Sequence, residues 1–129
     1  ALRPGVYVFG DAQQVELGTI GFDQVALTVI STVVSQAGGR VICDAGSKAL
    51  GADRAPWATG YGRVLDVPDA RIVALSEHHA TIEWPGPLPR LGSTVAIVPN
   101  HACNAVNLNE YYQLSSGGRW PVAARGRNN

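Results

Sequence analysis

Val25-Ala26-Leu27-Thr28-Val29-Ile30-Ser31-Thr32-Val33-Val34-Ser35 is crowded with β-branched side chains and closes on Gly38-Gly39. Branching at Cβ restricts χ1 in a helix but suits a pleated, half-buried surface. The stretch therefore reads as a long strand, apolar on both faces and bent. The glycine pair turns the chain into a second strand, from Arg40 to Asp44. Further short strands are expected at about Arg63 to Leu65, Arg71 to Leu75, Ala80 to Trp84 and Thr94 to Val98. Pro85-Gly86-Pro87-Leu88-Pro89 breaks the pattern, because each proline fixes φ and removes a donor.

The ends of the chain continue in the same style. Arg3 to Asp11 reads as a turn, a short strand around Val6-Tyr7-Val8-Phe9, and a turn. Tyr111-Tyr112-Gln113-Leu114 and Arg119-Trp120-Pro121-Val122 flank Ser115-Ser116-Gly117-Gly118 and read as a hairpin. Only Gln13 to Gly21 and Ser47 to Leu50 have room for a turn or two of helix. Many short strands with frequent Gly and Pro turns predict an all-β domain, a barrel-like array with Gly/Pro-rich loops.

Composition bounds the function. A chain of 129 residues is one domain with a single core. Formal net charge is zero and only 16% of residues are charged, so nucleic-acid binding has no electrostatic footing. The run from Val25 to Val34 carries Thr28, Ser31 and Thr32 and is too short to span a bilayer as a helix. Ala1-Leu2-Arg3-Pro4-Gly5 does not read as a secretory leader. Cys43 and Cys103 make no disulfide framework and are expected to be free thiols. The expectation is a soluble, cytoplasmic domain without nucleic-acid or membrane partners.

Chemistry concentrates where the Thr94-Val95-Ala96-Ile97-Val98 strand ends, at Pro99-Asn100-His101-Ala102-Cys103-Asn104. If the strand continues, His101 and Cys103 point the same way. An imidazole and a thiol on one face suit a soft or borderline divalent metal. A buried Cys beside a polar His is the plain alternative. Glu77-His78-His79 places three titratable groups together, either as a proton-transfer pair or as a polar turn between strands. Lys48, in Asp44-Ala45-Gly46-Ser47-Lys48, is the chain's only lysine, yet nothing around it supplies the desolvation or nearby cation a Schiff-base lysine needs. Gly60-Tyr61-Gly62 offers bare backbone to a ligand but matches no phosphate-binding fingerprint.

Taken in order, Arg3-Pro4-Gly5-Val6-Tyr7, Asp44-Ala45-Gly46-Ser47-Lys48-Ala49-Leu50, Gly60-Tyr61-Gly62, Leu75-Ser76-Glu77, Pro99-Asn100-His101-Ala102-Cys103 and Val106-Asn107-Leu108 resemble a known pattern. It is that of the C-terminal domain of the D-serine dehydratase and D-threonine aldolase family, pyridoxal-phosphate enzymes of the alanine-racemase-like fold type. The resemblance runs from about Leu2 to Gly126. It implies that residues 1–129 are the β-domain of a larger two-domain enzyme whose N-terminal barrel holds pyridoxal phosphate and the Schiff-base lysine. Lys48 lies in a β-domain motif and is not that lysine. The family's metal ligands, a His followed two residues on by Cys or Asp, fall on His101 and Cys103. The Cys form resembles the zinc-dependent dehydratases.

Two departures stand out. Where the family often has an acidic residue and one His, this chain has Glu77-His78-His79, so only His79 matches; and Asn109-Glu110 replaces the His-Asp of many members.

The resemblance implies a D-3-hydroxy amino acid as substrate. Zinc or another divalent metal such as manganese, at His101 and Cys103, would activate its β-hydroxyl for elimination or for retro-aldol cleavage. No further catalytic residue is expected in this chain, which alone should be inactive. Its partners would be its own barrel domain and, in the full-length enzyme, a second copy in a homodimer. Trp57, Tyr61 and Trp84 are candidates for the apolar face such pairing would cover. The alternative is a free-standing β-barrel binding module without catalytic activity.

Overall fold

A computed structural model describes residues 1–127. Six antiparallel strands form a closed barrel: β1 (Val29–Ala37), β2 (Arg40–Cys43), β3 (Gly62–Val64), β4 (Val67–Leu75), β5 (Ala80–Glu83) and β6 (Thr94–Pro99). Around the barrel they run in the order β1-β2-β5-β4-β3-β6. Strand β6 closes the ring by pairing with β1 through Val29↔Ile97 and with β3 through Arg63↔Val98. Alternate residues on the strands turn inward. Val33, Val41, Cys43, Ala70, Ile72, Ala80, Ile82 and Ile97 are all fully buried and form one core. The hairpin β7 (Tyr111–Gln113) and β8 (Arg119–Pro121) stands outside the barrel as a separate two-stranded sheet.

Most expected strands fall within a few residues of their places, and the bend in β1 is a register shift between Val33 and Ser35. Two expectations fail. Strand β1 starts at Val29, not Val25, because Ala26 donates its N–H to Phe9 O at 2.7 Å outside the sheet. The opening segment forms no strand: Val6–Val8 is a 3₁₀ turn, with Phe9 N–H returning to Val6 O. A closed barrel has no free edge on which another strand could pair.

Helices are short. α1 (Ala12–Glu16) and α2 (Ser47–Leu50) lie in the two windows with room for them, and α3 (Ala102–Leu108) follows β6 directly. Gly60 and Gly62 serve packing. A Cβ on Gly60 would come 2.7 Å from Ile72 O, and one on Gly62, at φ +149°, 2.8 Å from Val98 O. Their bare backbone thus faces neighbouring strands, where the sequence left a ligand possible.

The β1–β2 corner is fixed by a small polar network. Ser31, buried in the barrel wall, donates to Asp44 Oδ1 at 2.8 Å and accepts from Ala45 N–H at 2.9 Å. Thr32 N–H donates to the same Asp44 oxygen at 2.7 Å. The Thr32 N–H and the Ser31 hydroxyl hold the Asp44 carboxyl below its ordinary range, against a weaker desolvation effect. A carboxyl more acidic folded than unfolded stabilises the fold fully above its unfolded value, about pH 3.9, and that share is lost as pH falls through the lower folded value. Asp44→Asn is therefore expected to lower stability at neutral pH and to flatten the acid limb of the stability curve. Denaturant midpoints measured from neutral pH to below about pH 4 check this; equal acid slopes in both proteins would contradict it.

Candidate metal centre

Strand β6 ends at a proline, which has no N–H to continue the ladder. Asn100 comes next, buried, with its side-chain amide donating to Asp53 O at 3.1 Å and Gly60 O at 2.6 Å. His101 then leaves extended geometry as the N-cap of α3 (φ −131°, ψ 103°), and Cys103 lies in the first turn of that helix. The expected strand through His101 and Cys103 is therefore a strand-to-helix corner. The helix forms because Ala102 and Ala105, three residues apart, bury one face. Asn109 closes its far end, donating to Ala105 O at 2.7 Å and Ala49 O at 3.0 Å.

The corner still brings the pair together. His101 and Cys103 line one open depression of about 360 Å³ with Asp53, Asn104 and Asn107. Cys103 also borders an apolar groove of about 420 Å³ that Val6, Phe9, Val106, Tyr112 and Val122 help to line. The thiol thus stands between a polar hollow and an apolar one.

Asp53 is the residue that local sequence reading missed. Its Oδ2 lies 2.6 Å from His101 Nδ1, and Asn104 donates to its Oδ1 at 2.8 Å. A carboxylate in this contact can only accept, which makes Nδ1 the donor, and in the neutral imidazole that arrangement leaves the Nε2 lone pair for a metal. The loop carrying Asp53 is held from α1: Ala55 N–H donates to Gln13 Oε1 at 2.8 Å, and Thr59 N–H to Glu16 Oε1 at 2.9 Å. Glu16 in turn pairs with the buried Arg63 guanidinium at 3.2 Å. Burial pushes the Arg63 pKa down, and Glu16 opposes that shift. Nothing adjacent to Asp53 in sequence marks it, since its partner is 48 positions away.

The other candidates fall apart from this centre. Glu77, His78 and His79 form the exposed β4–β5 turn, where Ser76 N–H donates to His79 O at 2.9 Å. Lys48 pairs with Glu77 at 2.7 Å, with 59% of its side-chain surface open to solvent, far from the dry pocket a Schiff-base lysine requires. Both cysteines are free. Trp57 is 46% exposed, whereas Tyr61 and Trp84 pack against the barrel core.

The donor set suits an open site. His101 Nε2 and Cys103 Sγ are one borderline and one soft donor, and Asp53 is occupied by the imidazole in the outer-sphere manner usual for metal-bound histidines. Among the described residues no three His, Cys, Asp or Glu side chains group as a metal cage. Two such donors would fill half of a four-coordinate shell.

Comparison with known proteins gives the same neighbourhood. Residues 26–115 match the family model described as "Putative serine dehydratase domain". An uncharacterised protein of Mycobacterium tuberculosis is 48% identical, over 94% of this chain and 99% of its own length. D-serine dehydratase of Dictyostelium discoideum is 31% identical over 89% of this chain, which spans 33% of that enzyme. Among solved structures, D-threonine aldolase from Filomicrobium marinum superposes with a TM-score of 0.75 at 30% identity, covering 99% of this chain and 37% of that one. D-threo-3-hydroxyaspartate dehydratase from Delftia sp. HT23 gives a TM-score of 0.75 at 28% identity, covering 91% and 36%. Structures of that dehydratase include a His→Ala mutant and, two positions further on, a Cys→Ala mutant in a metal-free form. This chain therefore spans about 36% of the dehydratase structure.

The two thiols should differ in reactivity. Burial, reinforced by Asp44 and partly offset by the Ser31 hydroxyl, pushes the Cys43 pKa up to about 11, whereas Cys103 is exposed. A thiolate is the reactive form. A disulfide reagent at mildly alkaline pH is expected to modify one thiol per native chain, Cys103, and two after denaturation. Mass mapping of the modified peptide reads the outcome, and prompt labelling of Cys43 in the native protein would contradict it.

Proposed function

The chain belongs to the serine dehydratase domain family, and from that premise we propose that it is the metal-holding β-domain of a pyridoxal-phosphate-dependent lyase acting on D-3-hydroxy amino acids. The observation that carries this reading is the His101-Ala102-Cys103 corner, with Nδ1 of the imidazole engaged by Asp53 and both donors lining one hollow. The His and Cys altered in the related dehydratase have the same two-residue spacing, and a metal-free form is recorded for its Cys mutant.

In this reading His101 Nε2 and Cys103 Sγ hold zinc or another divalent metal such as manganese. A cation bound there supplies Lewis acidity toward the substrate's β-hydroxyl, in β-elimination or in retro-aldol cleavage. Asp53 fixes the imidazole tautomer and strengthens it as a donor. Asn104, bonded to the other Asp53 oxygen, keeps the carboxylate turned toward the ring. Cys103 would hold such a cation as its thiolate. In this reading pyridoxal phosphate and its lysine belong to the barrel domain, and Lys48, solvated and ion-paired, does not fit that role. Free thiols, one of them exposed, suit the cytoplasm. No helix among the described residues is long and apolar enough to cross a membrane. The barrel, and a second copy in a homodimer, are the partners this reading carries.

A second reading has its own support. The mycobacterial relative is matched over 99% of its length, so a protein of single-domain size exists in this family. That favours a free-standing β-barrel binding module. The reading frame upstream of Ala1 separates the two: a barrel of about 250 residues supports the lyase domain, and its absence supports the module.

Zinc titration against a chromophoric chelator tests the site directly. The wild-type chain is expected to bind one equivalent, and His101→Ala or Cys103→Ala to abolish binding. Asp53→Asn, which keeps shape but not charge, should weaken binding about 10–100-fold. With pyridoxal phosphate and zinc added, the chain alone is expected to show no dehydratase or aldolase turnover. A folded wild-type chain that binds no zinc, or a His101→Ala variant that binds normally, would contradict the assignment.

A further inference from the structure

Helix α3 lacks an N-cap from its own residues: His101 holds the cap position, and its side chain makes no cap hydrogen bond. The imidazole is turned toward Asp53 instead. A first turn that buries Ala102 completely would ordinarily need some acceptor for its leading N–H groups. The acceptor comes from the other end of the chain. Asp11, only 2% exposed, receives the Ala102 N–H on Oδ2 at 3.1 Å across 91 positions of sequence. Its Oδ1 receives the Gln14 N–H at 3.0 Å and caps α1. One buried carboxylate thus serves the starts of two helices, where negative charge is favoured.

The backbone delivers Asp11 to this place by a constrained turn. Gly10 sits at φ +67°, and a Cβ there would come 2.5 Å from Ile20 Cδ1. Helix α1, started by Asp11, holds the Asp53 loop through Gln13 and Glu16. Asp11 therefore connects both halves of the centre: the peptide between His101 and Cys103 directly, and the Asp53 loop through α1.

We propose that Asp11 is a positioning residue for the metal centre, capping α3 in place of His101 so that the imidazole is free to face the metal. It touches neither metal nor substrate. The inference rests on His101 and Cys103 being the ligands, and a second readout separates the two claims.

The test compares the wild-type chain with Asp11→Asn, Asp11→Ser and, as a control remote from the centre, Ser31→Ala. Asp11→Asn keeps the shape but turns one acceptor oxygen into a donor. Asp11→Ser keeps a good cap for α1 with a single, shorter oxygen that cannot serve both helices. Amide hydrogen exchange of the metal-free proteins reads α3 through Ala105 N–H, which donates to His101 O. Zinc competition reads the centre. Both Asp11 variants are expected to speed exchange at Ala105 and to weaken zinc binding by on the order of tenfold, as loss of outer-sphere support does. Ser31→Ala is expected to lower the unfolding midpoint while leaving zinc affinity within about twofold, since its site lies in the β1–β2 corner and separate sites act independently. If the Asp11 variants bind zinc like wild type, or if Ser31→Ala weakens zinc binding as much, the proposal is overturned. If wild type binds no zinc, the ligand assignment fails, and unchanged exchange at Ala105 would overturn the capping role as well.

Discussion

The position of the candidate centre depends on strand β6 being paired on both sides. By joining β1 and β3 it closes the barrel, and every residue beyond it is delivered from a fixed point. A closed sheet has no free edge along which register can slip, and the buried Ile97 and Val98 add a packing penalty to any shift. The chain must then leave at Pro99, and Asn100 ties the exit to the loop on its flank. His101 owes its place to this closure.

What surrounds the exit is a set of buried or half-buried polar contacts, not an apolar pocket. Asp11, Glu16, Arg63 and Asn100 each link segments far apart in sequence, and of these Asn100 bonds through its amide nitrogen while its buried Oδ1 has no partner among the described residues. Such contacts fix geometry more than they add net stability. The result is hydrogen-bonded on the protein side and open on the solvent side. That combination is compatible with the proposed site, in which two donors would hold a cation and leave coordination positions open. The apolar groove lined in part by Val106 and Phe9 lies beside the hollow, and Cys103 borders both.

Much of the barrel was legible because strands announce themselves locally. β-branched runs and Gly/Pro turns marked all six barrel strands, and the Ser115-Ser116-Gly117-Gly118 turn marked the outer hairpin. The misreadings have one physical origin. Val6-Tyr7-Val8 has strand composition, but strand structure needs a partner edge and the closed barrel offers none. Helix α3 is too short to be stable through propensity and holds together by tertiary contacts: the burial of Ala102 and Ala105, and the hydrogen bonds of Asp11 and Asn109. The family motif singled out His101 and Cys103 as candidates, and the structure places them at a strand-to-helix corner where a continuing strand was expected. Asp53 and Asp11 were invisible because their partners lie 48 and 91 positions away.

The central claim is that one imidazole nitrogen and one thiolate of this chain hold a metal at the β6–α3 corner. X-ray absorption spectroscopy of the zinc-loaded chain tests it most directly, because it reads donor type and distance together. The account predicts one sulfur at about 2.3 Å and one imidazole nitrogen at about 2.0–2.1 Å, with the remaining shell made of light, exchangeable donors. A first shell with no sulfur, or one unchanged when His101 is replaced by Ala, would contradict it.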